Sequence, residues 1–252
     1  MVQKQYDKVD LKIFDTRAEM GKVAAEEAAE CMRQLLSRKQ EINCIFAAAP
    51  SQSEFLEALC AQPGIEWNRV NAYHMDEYVG LGLGHEKSFN HFLCVNIFDK
   101  VPFKSVNLIN GANPADQEVE RYGELLNKAP TDIVFMGIGE NGHIAFNDPP
   151  VADFEDKAPI KKVQLERACR QQQVHDKCFD TLEEVPEYAL TVTVPRLTCA
   201  EHLFCIVPSD KKHKAVVDTL TGPISTACPA SILRRTENVR MYIDKDCAGD
   251  LI

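Results

Sequence analysis

The sequence predicts a single-domain α/β protein with a mostly parallel open sheet and helices on both faces of that sheet. Three observations carry this prediction. Short apolar runs alternate with segments of helical spacing along the whole chain, turn residues separate them, and 252 residues suit one α/β domain. The chain contains no internal repeat and no low-complexity linker, so we expect one domain over residues 1–252.

Four helices are predicted from capping residues that precede apolar positions at helical spacing. In chain order they begin at Thr16, Ser51, Asn113-Pro114 and Ser209. The first two starts are capping boxes, because a glutamate follows three residues later. The third has a capping residue with proline at the first helical position, and the fourth helix ends at Gly222-Pro223.

Seven short apolar runs bounded by polar residues predict buried strands. In chain order they span residues 41–49, 70–75, 106–109, 132–136, 189–194, 203–207 and 240–243. The repeated strand-then-helix order predicts parallel strands joined by helices, a Rossmann-like three-layer αβα arrangement. Ligands bind such sheets beyond the carboxyl ends of the strands, so the polar residues that follow each strand are the candidate site residues.

Composition excludes several classes of partner. The chain has 28 basic and 38 acidic residues and a net charge of −10, whereas a nucleic-acid-binding protein usually presents a basic face. No apolar run reaches the roughly 20 residues of a membrane helix, and the N-terminus has no apolar signal segment. We therefore expect a cytoplasmic protein without a nucleic-acid or membrane partner. The ten cysteines form no CxxC pair and are expected to be free thiols rather than metal ligands.

Two of four strand-end loops suggest an anion site and a base. In Ala49-Pro50-Ser51-Gln52-Ser53, Ser51 is expected at a helix N-cap, where free N–H groups and the helix dipole favour an anion. The alternative is that Ser51 only caps the helix. In the segment 74–81, the adjacent carboxylates of Asp76 and Glu77 follow a strand directly, where a general base would be placed. The alternative is a solvated acidic turn.

The third loop, residues 137–150, is the densest in functional residue types. Its three glycines match GxGxxG, but Pro149-Pro150 stops any helix within two turns, and the loop lies past mid-chain. We therefore reject a dinucleotide cofactor and interpret the glycines as allowing the backbone to fold tightly against a ligand. His143 lies in this loop, and Asn141 and Asp148 can orient its imidazole or tune its charge.

The fourth loop is Ser209-Asp210-Lys211-Lys212, at a helix start. Lysines in a first turn oppose the helix dipole by a few tenths to about 1 kcal/mol unless an anion offsets them. Either Lys211 or Lys212 therefore points at a phosphate, or both are screened by solvent. A base, a histidine unit, an anion-binding helix start and a lysine together suit proton transfer on a small phosphorylated substrate, and the loops contain no metal-binding pattern.

At MDEYVGL (75–81) and GIGENGHIAFNDP (137–149) the sequence resembles the glucosamine-6-phosphate deaminase/isomerase family, within the superfamily shared with 6-phosphogluconolactonases. VPEYALTV (185–192) and Ser209-Asp210-Lys211 extend the likeness over nearly the whole chain. The resemblance implies conversion of an amino-sugar phosphate to a ketose phosphate and ammonia, without metal or organic cofactor. Glucosamine 6-phosphate is the expected substrate. Galactosamine 6-phosphate, lactone hydrolysis and a non-catalytic sugar-phosphate sensor are alternatives, and the oligomeric state is open, a homo-oligomer included.

The same resemblance implies residue roles. Asp76 is expected to move a proton between C2 and C1 of the sugar, and His143 to open the pyranose ring by proton transfer to the ring oxygen. Asn141 and Asp148 are expected to position and tune His143. Ser51, Gln52, Arg170 and Lys211 are the residues expected to bind the substrate and its phosphate.

The chain departs from the family pattern at three places. The usual Thr-Gly-Gly-Thr-Pro phosphate loop is replaced by Ala48-Ala49-Pro50-Ser51-Gln52, Asn141 replaces a frequent Asp, and Asp148 replaces a usual Glu. A family arginine is expected within 170–177, where Arg170 and Lys177 both qualify.

Overall fold

Eleven strands and eight α-helices make up the part of the chain that the computed structural model describes, residues 1–251. The strands are β1 (Val2–Tyr6), β2 (Val9–Phe14), β3 (Ile42–Phe46), β4 (Val70–His74), β5 (Asp76–Tyr78), β6 (Ser105–Asn107), β7 (Ile133–Met136), β8 (Ile160–Gln164), β9 (Tyr188–Val192), β10 (His202–Val207) and β11 (Val239–Asp244). The helices are α1 (Arg17–Arg38), α2 (Ser53–Cys60), α3 (Phe89–Leu93), α4 (Ala115–Asn127), α5 (Arg167–His175), α6 (Val194–Thr198), α7 (His213–Thr221) and α8 (Lys245–Ala248).

The main sheet has eight strands in the order β1-β2-β11-β10-β7-β3-β4-β6. Only β1 runs antiparallel to its neighbour, and every other pair in the sheet is parallel. Alternate side chains of the central strands point to opposite faces. Cys44 and Phe46 pack with α1 and α2, while Ile45 packs with α4 and α7. The predicted mostly parallel sheet with helices on both faces is thus confirmed.

The strand predicted over 189–194 lies outside this sheet, which corrects its expected place. It forms β9, the centre of a small antiparallel sheet with order β5-β9-β8. Asp76 of β5 faces Thr191 of β9 in the pairing register. The small sheet therefore fixes the backbone at the carboxyl end of β4, where the candidate base lies.

Two predicted helix starts are confirmed. The Thr16 hydroxyl accepts a hydrogen bond from the Glu19 N–H (3.1 Å), as a capping box requires. Ser209 caps the short 3₁₀ turn Asp210–Lys212 that leads into α7, and its hydroxyl accepts from the Lys211 N–H.

The other two starts are shifted. Because proline pre-sets φ for a turn, a 3₁₀ turn already begins at Pro50, and Ser51 lies inside this turn instead of capping α2. The N-cap of α4 is Pro114, so the prediction that Asn113 caps this helix was wrong. The Asn113 amide instead donates to Glu118 (2.8 Å).

None of the helices within residues 1–251 combines the length and the hydropathy needed to cross a membrane. All ten cysteines are free thiols.

Candidate functional site

A cleft of about 480 Å³ opens beyond the carboxyl ends of β3, β4, β7 and β10. The four loops selected from the sequence meet there, because the ends of parallel strands lie along one edge of a sheet. Ser51, Asp76, His143 and Lys211 all line this cleft. Polar side chains distant in sequence are thereby brought to one binding site.

Asp76 brings a buried carboxylate to the cleft. Its side chain is 7% exposed, and no group within residues 1–251 donates a hydrogen bond to the carboxylate. Burial, and after it the neighbouring Glu77 carboxylate, raise the pKa of Asp76 well above its usual value. A carboxylate in this environment is a stronger base than one in water, which suits removal of a proton from carbon.

Glu77 has a different role from that of its neighbour. Its carboxylate accepts hydrogen bonds from the backbone N–H groups of Tyr78, Phe89 and Asn90 and from the Asn90 side chain, at 2.7–3.1 Å. Burial raises the pKa of Glu77 to about 7 against the opposing effect of these donors. Glu77 therefore holds the start of α3 against β5 and leaves the cleft to Asp76.

His74 holds the backbone at Asp76. The ring is fully buried; its Nδ1 lies 3.0 Å from the Asp76 carbonyl oxygen, and its Nε2 accepts a hydrogen bond from the Ile109 N–H (2.8 Å). Because Nε2 accepts, Nδ1 carries the proton and donates to Asp76. Burial lowers the pKa of His74 to about 4, so the ring is neutral. This positioning role of His74 is not evident from the sequence.

The second candidate for a reactive group is His143, 8% exposed, in the loop after β7. Its Nδ1 lies 2.8 Å from Asn141 Oδ1 and 3.0 Å from Asp148 Oδ1, and Asn141 Nδ2 donates to the same Asp148 oxygen at 2.8 Å. Since both groups facing Nδ1 are acceptors, Nδ1 carries the proton. This leaves Nε2 as the basic nitrogen. Asn141 and Asp148 lie behind the ring and not on the cleft wall.

One cluster in the described chain has donor types that metals use. The ring nitrogen of His143, the Asp148 carboxylate and the Cys169 sulfur lie within 4.8 Å of one another. Burial and the adjacent Asp148 charge raise the pKa of the Cys169 thiol well above its usual value, whereas a metal binds the thiolate. The three groups therefore fit a hydrogen-bonded network better than a metal centre.

The opposite end of the cleft is built around Ser51. A Cβ added at Gly137 would lie 3.6 Å from the Ser51 Oγ and 3.2 Å from the Gln52 Nε2, so both side chains pack beside this glycine. Gln52 Nε2 donates to the Ser51 hydroxyl (3.2 Å) and to the Ile206 carbonyl (3.1 Å). Gln52, 1% exposed, thus orients Ser51 from behind. Residues 48–52 all have negative φ, so alanine and proline replace the family glycines without strain.

Strained backbone also concentrates at the cleft. Five residues other than glycine within residues 1–251 have positive φ, and three of them, Ala145, Lys177 and Ser209, line the cleft. Such conformations cost on the order of 1 kcal/mol each and persist where surrounding contacts impose them. At Ser209 (φ 89°) the N–H donates to the Asp244 carboxylate, which directs the following lysines.

Of the two cations considered within 170–177, Lys177 lines the cleft and Arg170 does not. The Arg170 guanidinium donates to the Leu182 carbonyl (2.7 Å) and to the Val185 carbonyl (2.8 Å), and it does not line the cleft. The hydrogen bonds to the following loop hold Arg170 away from the cleft, and its role in substrate binding stays a prediction of the sequence. Lys177 lies two residues beyond α5 and lines the cleft.

Several further residues of the cleft were not recognised from the sequence, and four of them have polar side chains. They are Arg17, Lys87, Gln172 and Gln173. Arg17 pairs with Glu54 (2.6 Å), and Lys87 with Glu184 (2.9 Å). The two glutamines lie on α5, whose mostly polar sequence shows no clear apolar period. The run of three glutamines was the only visible signal there.

Residues 15–242 match the family model described as glucosamine-6-phosphate isomerases/6-phosphogluconolactonase. The chain is 36% identical over 233 residues to a glucosamine-6-phosphate deaminase of Exiguobacterium sibiricum, with 89% of each chain covered. It is 34% identical over 225 residues to a glucosamine-6-phosphate deaminase of Bacillus thuringiensis, covering 88% of this chain and 84% of that protein.

Two solved structures extend these findings. A monomeric glucosamine-6-phosphate deaminase superimposes with a TM-score of 0.85 at 25% identity, covering 94% of this chain and 98% of that one. A 6-phosphogluconolactonase from Thermotoga maritima superimposes with a TM-score of 0.75 at 18% identity, covering 94% and 100%. The likeness to the 6-phosphogluconolactonase, at 18% identity, shows that the two chains share a fold.

Proposed function

The chain belongs to the glucosamine-6-phosphate isomerase/6-phosphogluconolactonase family, and from this membership we propose that it converts glucosamine 6-phosphate and water to fructose 6-phosphate and ammonia. One observation carries the proposal. Asp76, a buried carboxylate that accepts no hydrogen bond within residues 1–251, shares one cleft with His143, whose Nε2 is basic. The Asp76 carboxylate suits the transfer of a proton to and from carbon, and the His143 imidazole suits the transfer of a proton to and from oxygen.

Ring opening is the first step. Breaking the bond between C1 and the ring oxygen requires that the C1 hydroxyl lose a proton and the ring oxygen gain one. His143 Nε2 takes the first proton and returns it to the ring oxygen. Asp148, 3.0 Å from Nδ1, stabilises the transient imidazolium by charge, and Asn141 keeps the ring in orientation.

Isomerisation follows on the open chain. Asp76 removes the proton from C2 while the C1 carbonyl oxygen takes a proton from the C2 ammonium group of the substrate, which gives an enolamine, and Asp76 then delivers its proton to C1. The product carries an iminium at C2. Water adds there, the C–N bond breaks, and ammonia leaves with fructose 6-phosphate. The raised pKa of Asp76 suits both halves of this transfer, because one carboxyl must accept the proton and then release it.

The phosphate end of the cleft supplies the binding energy. Ser51 offers a hydroxyl, and Lys177 and Lys211 make no ion pair with other residues in 1–251, so both are available to an anion. These lysines provide local positive charge, so the cleft can attract an anionic substrate although the chain as a whole has a net charge of −10. The cytoplasmic location and the oligomeric state stay predictions of the sequence.

The test measures the ammonia and the ketose 6-phosphate released from glucosamine 6-phosphate and from galactosamine 6-phosphate, and in a separate assay the acid released when 6-phosphogluconolactone is opened. We expect turnover of glucosamine 6-phosphate by the wild type and a loss of at least about a thousandfold in Asp76→Asn. Asp116→Asn, an exposed position on α4, is the matched control and should retain wild-type activity. Equal activity in wild type and Asp76→Asn excludes Asp76 as the base. If the wild type opens the lactone but releases no ammonia from either amino-sugar phosphate, the activity of the protein is lactone hydrolysis and not deamination.

A further inference from the structure

Three consecutive glutamines on α5, Gln171, Gln172 and Gln173, have different surroundings. Gln171 is partly buried and does not line the cleft. Gln172 and Gln173 both line the cleft, and they are 8% and 7% exposed. The proposed chemistry leaves all three without a role. The two glutamines of the cleft differ in whether their side-chain amides already have partners in the protein.

The Gln172 amide is used inside the protein. Its Oε1 accepts a hydrogen bond from the Glu140 N–H (2.9 Å), and its Nε2 donates to the Asp176 carboxylate (3.3 Å). Glu140 belongs to the loop that carries His143, so Gln172 connects α5 to this loop. The contacts of Gln172 therefore explain why an amide is buried at this position.

The Gln173 amide has no such explanation. Within residues 1–251 it makes no hydrogen bond, and neither of its polar atoms is enclosed without a partner in the way that the Gln52 Oε1 is. Since the rest of the side chain is buried, the amide reaches the cleft. Buried polar groups are normally hydrogen-bonded, and the few polar groups of a ligand site fix the orientation of the ligand. The free amide therefore indicates a polar ligand atom opposite Gln173.

The spacing of residues along α5 places this amide between the two ends of the cleft. Gln173 follows Cys169 by four residues, so the two share a helix face and lie about 6 Å apart along the helix axis. The Cys169 sulfur lies within 4.8 Å of a ring nitrogen of His143, so the start of α5 is beside the proposed ring-opening group. Lys177, a proposed phosphate ligand, comes four residues after Gln173, just beyond the end of α5.

A hexosamine 6-phosphate has a hydroxyl at this point. The proposed function places C1 and C2 beside Asp76 and His143, and the phosphate on C6 beside Ser51 and Lys177. C4 is opposite C1 across the pyranose ring and lies between these two ends, and its substituent is a hydroxyl. A hydroxyl both donates and accepts hydrogen bonds, and a glutamine amide offers the matching acceptor and donors.

We propose that Gln173 is a specificity-determining residue whose side-chain amide hydrogen-bonds the C4 hydroxyl of the sugar phosphate. This inference rests on the proposed function. Glucosamine 6-phosphate and galactosamine 6-phosphate differ only in the direction of the C4 hydroxyl. An amide that bonds this hydroxyl in one epimer is left without its partner by the other, so Gln173 sets the preference of the enzyme between them.

The kinetic test replaces each of the three glutamines by methionine, which has a similar length and no amide. For Gln173→Met we expect kcat/KM to fall about tenfold with glucosamine 6-phosphate and to stay within about twofold with galactosamine 6-phosphate, so the preference narrows about tenfold. Gln171→Met is the matched control and should equal wild type with both sugars. Gln172→Met should lower both values by the same factor, because its amide contacts the protein and not the sugar.

The ratio of the two kcat/KM values separates specificity from folding. Both sugars are measured on one preparation, so a loss of folded protein lowers both values equally and leaves their ratio unchanged. A ratio in Gln173→Met equal to that of the wild type overturns the proposal, as does a wild type that does not discriminate between the two epimers.

A binding test does not depend on turnover. The ligands are 2-amino-2-deoxyglucitol 6-phosphate and its galactitol epimer, which have an alcohol at C1 and cannot isomerise. Calorimetry should show that the wild type binds the glucitol more tightly, and that Gln173→Met binds the two equally. Kd values whose ratio is the same in wild type and Gln173→Met overturn the contact. A preference that is lost in Gln173→Met, in a protein that releases no ammonia, supports the contact and rejects the deaminase function.

Discussion

The imidazole of His143 lies directly against the α-carbon of Gly139. A Cβ built at position 139 would lie 2.1 Å from the ring Cε1, and the Gly139 N–H donates to the His143 carbonyl at 2.9 Å. The loop therefore closes on itself around the ring, and only a residue without a side chain leaves room for it. The glycine pattern that resembles a dinucleotide fingerprint instead accommodates a histidine.

Gly139→Ala is expected to displace the His143 ring and lower kcat about 100-fold, because a shift of roughly 1 Å at a reacting group costs that much. Gly82→Ala is the matched control, since a Cβ there would meet the Ala112 Cβ at an ordinary 3.4 Å. Steady-state kinetics with thermal unfolding of both variants check the prediction. A Gly139→Ala enzyme of unchanged kcat would show that the ring position is not critical.

Lys177 and Arg170 should separate binding from stability. Lys177→Gln removes a cleft cation and is expected to raise KM for glucosamine 6-phosphate about tenfold with little change in kcat. Arg170→Gln should leave KM near the wild-type value and lower the melting temperature, because two carbonyls in the loop 182–185 lose their donor. If KM rises in Arg170→Gln and not in Lys177→Gln, Arg170 binds the substrate and Lys177 does not.

Ser51→Ala tests the glycine-poor phosphate loop. Removing the hydroxyl should raise KM for the sugar phosphate about threefold to tenfold, the worth of one hydrogen bond to a charged group. The melting temperature of Ser51→Ala should equal that of the wild type, because Ser51 is not the N-cap of α2. Ser53→Ala, two residues along at the start of α2, is the control and should match wild type. Equal KM values for the two variants would remove Ser51 from the phosphate site.

The central part of the fold could be predicted because its strands are apolar runs between turn residues. The N-terminal hairpin was missed. β1 (VQKQY) is a largely exposed edge strand without an apolar run, and β2 (VDLKIF) alternates apolar and charged residues. β9 was recognised as a strand but assigned to the wrong sheet, since its pairing with Asp76–Tyr78 is a contact over more than 100 residues that no local pattern encodes.

The sequence predicted those site residues whose place in the cleft follows from their position after a strand. It did not predict those whose place in the cleft depends on the direction of the side chain. Asp76 lies two residues beyond β4 and His143 lies in the loop that follows β7, so their positions after strands brought both to the cleft. Arg170 and Lys177 could not be separated, because α5 was not predicted. The positive φ of Lys177 (59°) directs the chain just beyond that helix and is not visible in the sequence.

His74 should make the stability of the protein depend on pH. The unfolded ring takes up a proton near pH 6.5, whereas the folded ring does so only at about 4. The unfolded state therefore binds more protons between these values, and the His74 contribution to the free energy of unfolding falls by about 3 kcal/mol as the pH drops from 8 to 4.

Glu77 acts with the opposite sign. Its folded pKa of about 7 exceeds the ordinary 4.5, so its contribution to stability is present at low pH and is lost as the pH rises through 7. The contribution of His74 is therefore measured as the difference in the free energy of unfolding between wild type and His74→Gln, from urea unfolding at pH 4 to 8. The variant should lose less stability on acidification than wild type, while His85→Gln, at an exposed ring, should follow wild type. Parallel curves for wild type and His74→Gln would mean that the His74 ring takes up its proton at the same pH in the folded and the unfolded protein, and so is not held as a neutral donor to Asp76.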